Sequence, residues 1–292
     1  MMRSLAPELL RSPRELAAAF TELMDGTGAD DACPAADTQE LTWLRTEGYA
    51  VIAGALTSAR ARSLCRAMET LHAARWPPVF VFMLDDVWRH AREIERTVSL
   101  LLGHTYELLE DAWAWSIAPG ERGWKPHRGG GSVLLDREAP ELLTAWTALS
   151  DVTAERACMH VVPLDEDPHY PNALDSTDAP LASVRAVPVT AGTTVVWNAN
   201  VLHWGGACSP RAEGRRISLS VSLGRMDARG KHGVAPLPPT LTVEERLDLI
   251  AAQVVTYQTE APELQPAVRD WARATQQLRI VAAQHFAARK ER

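Results

Sequence analysis

Through the middle of the chain, short β-prone runs alternate with turn signals, and this pattern constrains the fold more than any other feature. "YELLEDAWAWSIAP", "SVLL", "LTAWTALSDV", "CMHVVPL", "SVRAVPV", "GTTVVWNA" and "RRISLSVSL" are separated by Gly, Pro and Asp. Short strands at such spacing predict an antiparallel sandwich or barrel. Side chains alternate across a strand. The last run therefore puts Arg216, Ser218, Ser220 and Ser222 on one side, with Ile217, Leu219, Val221 and Leu223 on the other. The apolar row should pack between sheets, under helices. The polar row suits a small cavity in which a guanidinium and a hydroxyl grip a dicarboxylate, or else it faces solvent on an edge strand. Arg215 is the alternative anchor.

Both ends read as helical. Leu16, Phe20, Leu23 and Met24 stand at helical spacing, and residues 25–37 form an acidic, small-residue linker. Next come a short helix, a stop at Gly48 and a strand at Tyr49–Ile52, then a helix over 57–76 capped by Thr57 or Ser58. Thr242 and Glu245 make a capping box ahead of Leu247, Ile250 and Val254. Val268, Trp271, Leu278 and Val281 mark a final amphipathic helix. The expected organisation is an N-terminal helix and linker (1–40), an all-β core (41–226) and a C-terminal helical segment (227–292) packed on that core.

A chain of 292 residues that is 46% apolar can bury a sizeable core. Its net charge of −7, with no concentrated Lys/Arg run, argues against nucleic acid or an anionic membrane as partner. Cys33, Cys65, Cys158 and Cys208 are dispersed without a CxxC pair, so neither a zinc site nor a disulfide framework is suggested. The first twenty residues lack a signal peptide's unbroken apolar stretch, and no segment is long enough to span a bilayer. A soluble, cytoplasmic protein with a small-molecule substrate is expected; nothing marks its oligomeric state.

Of nine histidines, His72, His90, His104, His232 and His285 read as surface or packed residues. His160 and His169 follow a strand in a Pro/Asp-rich loop and are not expected to ligate. His127 and His203 differ. His127 ends an aromatic β stretch and opens the glycine run of "WKPHRGGG"; His203 closes "GTTVVWNANVLHWGG", read as a strand followed by a turn. Positions 127 and 129 of a strand project to one side, so they can address one ion, which a distant histidine completes as in the facial triad of mononuclear iron oxygenases. Lys125 and Arg128 flank His127, pointing to solvent or supplying positive charge near the site. Trp113, Trp115, Trp146 and Trp204 are candidate pocket residues. Trp197 also lies in or beside a core strand. Asn198 and Asn200 could orient a ligand or form a strand-end hydrogen bond.

These segments resemble the phytanoyl-CoA dioxygenase-like family of iron(II)/2-oxoglutarate-dependent oxygenases, from about residue 41 to 225. The resemblance is carried by "LRTEGYAVIAGALTSARARSL", "GWKPHRGG", "LTAWTALSDVTAERACMHVVPLDEDPHY" and "GTTVVWNANVLHWGGACSPRAEGRRISLSVSL", with Ala157 where glycine is usual. It implies a double-stranded β-helix (a cupin-like jelly roll), iron(II) on His127 and His203, and 2-oxoglutarate on Arg216 or Arg215. Gly129 departs from the family's aspartate.

A small residue there resembles the halogenases of this chemistry. Loss of the carboxylate vacates a coordination position and subtracts a negative charge, which chloride restores; glycine leaves the most room. The resemblance then implies that O2 and 2-oxoglutarate yield a chloro-iron(IV)-oxo species that chlorinates an unactivated aliphatic C–H bond. Other readings stay open. Asp136, Glu138 or Asp151 could complete a hydroxylase site. Water could fill the position, or the chain could be a non-catalytic relative. A free amino acid, a nucleotide, an alkaloid-like metabolite and a carrier-tethered acyl group are all compatible substrates.

Overall fold

The computed structural model describes residues 6–23, 38–129, 136–228, 233–258 and 264–290, with side chains through residue 280 except that of Thr38. The N-terminal residues form a 3-10 turn (Pro7–Arg11) and α1 (Pro13–Thr21); α2 (Thr38–Thr46) leads into β1 (Tyr49–Ile52). Gly48 turns the chain between them at φ 83°, a conformation open chiefly to glycine. Then come α3 (Ser58–Ala73), a buried 3-10 segment (Pro78–Met83), α4 (Asp85–Leu102) and the long strand β2 (Tyr106–Ile117). β3 (Leu142–Ala148), β4 (Met159–Val162), β5 (Arg185–Val187), β6 (Thr194–Asn198), β7 (Leu202–Gly205) and β8 (Arg216–Arg225) complete the core; α5 (Val243–Tyr257) and α6 (Pro266–Lys290) close the chain.

The strands form two antiparallel sheets, β1-β6-β3-β8-β2 and β5-β4-β7, in a jelly-roll arrangement whose sheets are not joined into a closed barrel. Residue parity divides the interior. Ile217, Leu219, Val221 and Leu223 of β8, Leu143 and Ala145 of β3 and Ala112 and Ala114 of β2 join the apolar cluster made with the helices. Trp146, Val195 and Trp197 turn the other way and pack with Met159, Val161 and Val187 of the small sheet. The expected apolar row of β8 is therefore covered by helices, and its polar row faces the space between sheets.

Thr57, not Ser58, caps α3, accepting the Arg60 N–H. The Thr242/Glu245 capping box is present at the start of α5. Val268 and Ala272 of α6 are buried, but Leu278 is 71% exposed, so that helix turns only part of its apolar row inward. The 25–37 linker, Met24, the "SVLL" run, Cys33, His232 and the side chains of Val281 and His285 lie outside the described residues.

Candidate active site

The expectation that His203 follows β6 within one strand needs correction. β6 ends at Asn198 and the chain reverses there, with the Val201 N–H donating to the Asn198 carbonyl at 2.9 Å. His203 sits in a separate short strand, β7, of the other sheet. The Asn198 carboxamide closes this turn, its Oδ1 accepting the Asn200 N–H at 3.0 Å. Asn198 is thus a turn residue, not a wall of the site.

β7 runs against the segment 122–129. His127 and His203 exchange both backbone hydrogen bonds at 3.0 Å, and the Gly129 N–H donates to the Ala199 carbonyl at 2.8 Å. The imidazole centroids are 4.2 Å apart. A first-row metal ion lies about 2.1 Å from an imidazole nitrogen, so rings this close can reach one ion. Nδ1 of His127 lies 2.9 Å from the Lys125 carbonyl, and Nδ1 of His203 lies 2.9 Å from the Val201 carbonyl. A carbonyl only accepts, so each Nδ1 carries the proton and each Nε2 is left with its lone pair. Burial lowers the pKa of both rings; that of His203 is pushed down to about 3, with His127 as a further cause. Both are neutral, as ligation requires.

The two rings open onto a cavity of about 340 Å³ also lined by Gly129, Thr144, Trp146, Trp197 and Arg216. Trp113 and Trp115 line it as well; Trp204 does not, because it lies on the opposite face of β7, stacked on His160 with centroids 5.4 Å apart. Arg216 is 2% exposed. Its NH1 donates to the Ala157 carbonyl at 3.2 Å, and no carboxylate pairs with it among the described residues. Burial lowers its pKa to about 10. Arg215 lies elsewhere, donating to Oγ of Ser116 at 2.7 Å and facing Glu121 at 3.7 Å.

Among the described residues, three donors of this cavity's lining have no acceptor: Nε1 of Trp146, Nε1 of Trp197 and Nε of Arg216; the Oγ of Ser218, a sequence candidate, is buried and unpartnered but does not line the cavity. A buried donor without an acceptor costs about 1–3 kcal/mol. The set fits anionic guests that accept from these groups.

The carboxylates considered for a third ligand are engaged elsewhere. Asp136 accepts the Glu138 and Ala139 N–H groups and pairs with Arg225 at 3.0 Å. Glu138 pairs with Arg45 at 3.1 Å, and Asp151 accepts the Ala191 N–H at 2.9 Å. Among the described residues, no cluster of three or more His, Cys, Asp or Glu side chains could hold a metal. Arg128 neither faces solvent nor stands free. Its NH1 pairs with Asp167 at 2.7 Å and donates to the Asn200 carbonyl at 2.9 Å, while Nε and NH2 donate to the carbonyls of Leu174 and Ser176.

Some wall residues carried no sequence expectation. Thr144 shares parity with Trp146 on β3, which could have revealed it. Asp111 and Tyr257 come from a strand bulge and from α5, and no local pattern joins them to the histidines.

Residues 83–216 match the phytanoyl-CoA dioxygenase (PhyH) family model. Over this span, just under half of the chain, the sequence is similar to that family. The matched segment contains His127 and His203 and ends at Arg216. No curated protein sequence matches the chain. Among solved structures, the chain is similar to the non-heme alpha ketoglutarate dependent epimerase SnoN from nogalamycin biosynthesis. The two share 20% identity and a TM-score of 0.53 over 78% of this chain and 90% of that one. The carbocyclase SnoK from the same biosynthesis shares 18% identity with a TM-score of 0.51, covering 74% and 97%. AviO1 from Streptomyces viridochromogenes Tue57 shares 15% with a TM-score of 0.53, covering 73% and 100%. At these identities the likeness is one of fold.

Proposed function

We propose that this chain is an iron(II)/2-oxoglutarate-dependent halogenase that chlorinates an aliphatic carbon of a small-molecule substrate. The observation that carries the halogenase reading is Gly129. Nothing in the fold demands glycine there. Its φ lies outside the left-handed region, and an added Cβ would meet only Thr144 Oγ1 at 3.7 Å and Ala199 at 3.9 Å, ordinary contacts. A side chain would fit, yet the position two residues after His127 carries none, and no other carboxylate among the described residues takes its place.

Each chain residue then has a defined task. His127 and His203 hold the ferrous ion through Nε2, their tautomers set by the backbone. Arg216 would hold the distal carboxylate of 2-oxoglutarate, with Ser218 next to it on the same face of β8 but outside the cavity lining. Chloride takes the space beside Gly129, with the Thr144 hydroxyl facing it. The unpartnered indole N–H groups of Trp146 and Trp197 offer further hydrogen bonds to these anions. Bound iron and 2-oxoglutarate supply oxygen activation and the hydrogen-abstracting power. The protein contributes position: it admits a halide where a carboxylate would exclude one, and it keeps the reacting carbon close.

The test is anaerobic reconstitution with iron(II) and 2-oxoglutarate, titrating chloride while following the metal-to-cosubstrate absorption band. Wild type is expected to show a saturable chloride-dependent shift that Gly129→Asp abolishes without loss of thermal stability. A band that forms normally and ignores chloride would overturn the halogenase reading in favour of hydroxylation.

A further inference from the structure

Beside the metal cavity lies a second, larger one of about 1120 Å³, walled in part by the end of α3, β2 and α5. Trp113, Trp115, Trp124 and Tyr257 line both chambers. These four side chains form a closed ring. Centroid separations run 6.1 Å from Trp113 to Trp115, 5.8 Å to Trp124, 6.1 Å to Tyr257 and 4.9 Å back to Trp113. Trp124 also meets the His127 imidazole edge-on at 6.3 Å. The ring therefore stands where the outer chamber opens toward the histidine pair.

Asp111 is the single carboxylate lining the inner chamber among the described residues. Its oxygens accept from Ser222 Oγ at 2.6 Å and from the Tyr257 hydroxyl at 3.3 Å. Both donors are neutral, and no described cation pairs with Asp111. A carboxylate offers about four lone-pair sites, so acceptor capacity remains. None of the nearby described arginines pairs with Asp111. Arg75, Arg122 and Arg215 line only the outer chamber. Arg128 is paired with Asp167, and Arg216 sits at the opposite end of the inward row of β8 from Ser222.

We propose that the substrate carries a protonated amine, which the ring of Trp113, Trp115, Trp124 and Tyr257 encloses and the Asp111 carboxylate neutralises. The remaining substrate body fills the outer chamber. Aromatic faces are electron-rich and attract cations, the more so when water is excluded, and an adjacent carboxylate adds a charge-assisted hydrogen bond. The amine would fix the orientation of the substrate, leaving a carbon on its inner side toward His127 and His203. This assignment rests on the cavity being the active site described above.

The experiment measures equilibrium binding by calorimetry to the full-length, metal-free chain at pH 7.5, with benzylamine as the cationic probe and benzyl alcohol as its neutral counterpart. Wild type is expected to bind benzylamine about tenfold more tightly. Asp111→Asn should bring the two probes to near-equal affinity, and Trp124→Leu, a change at the exposed rim, should reduce the preference about threefold. His127→Ala should retain the preference. Metal chemistry plays no part in the measurement, so a failed chloride response and a failed amine preference are separable results. Equal affinities in wild type, binding of neither probe, or a preference that survives Asp111→Asn would overturn the proposal.

Discussion

Arg216 holds a guanidinium in the interior, and among the described residues no carboxylate neutralises it. Such a group is costly to desolvate and is stabilised when an anion arrives. Replacing it with Met should raise the KM for 2-oxoglutarate by about 10–100-fold, the equivalent of one or two charge-assisted hydrogen bonds. Steady-state oxygen uptake at varied cosubstrate checks this, and an unchanged KM would move the anchor elsewhere. Alternation within "RRISLSVSL" favoured Arg216 over Arg215, and the two side chains do lie apart, one inward and one on Ser116. Asn198 and Trp204, suggested by their place in or beside core strands, do not line the cavity: Asn198 closes the turn after β6, and Trp204 has the opposite parity to His203 on β7.

At the scale of elements, capping and glycine signals were the most legible. The stop at Gly48, the β1 strand at Tyr49–Ile52 and the box at Thr242 depend on neighbours within a few residues, which the sequence displays directly. Thr242→Ala should cost about 1 kcal/mol by freeing the Glu245 N–H, lowering Tm by a few degrees in calorimetry; an unchanged Tm would show that the box contributes nothing. α4 carried no expectation although Val87, Ala91, Ile94, Val98 and Leu102 recur at helical spacing and Gly103 ends it at φ 68°. β7 was harder to read. Four residues between turns carry too little periodicity, and their state is settled by pairing with β4 and the 122–129 segment.

Across the whole molecule, the helical layer and the sheets are joined by polar groups as well as apolar ones. His90 of α4 is fully buried and meets Thr147 Oγ1 at 2.9 Å, which in turn meets Thr194 Oγ1 at 2.8 Å. Burial, and secondarily Arg60, push its pKa down to about 3. The folded chain therefore keeps this ring neutral while the unfolded chain protonates it near pH 6.5. Its contribution to stability is complete above about pH 6.5 and is lost progressively as pH falls toward the folded-state pKa. The Tm of the metal-free protein should fall between pH 7.5 and 5, and His90→Gln should flatten that slope in scanning calorimetry; equal slopes would exclude His90 as the source. One further link reaches across the fold. Arg128, the neighbour of His127, ties itself to Asp167 and to the carbonyls of Leu174 and Ser176. The Arg128 side chain thereby joins the 167–176 loop to the edge that carries His127. Disorder in that distant loop would therefore be felt at the His127 imidazole through one guanidinium.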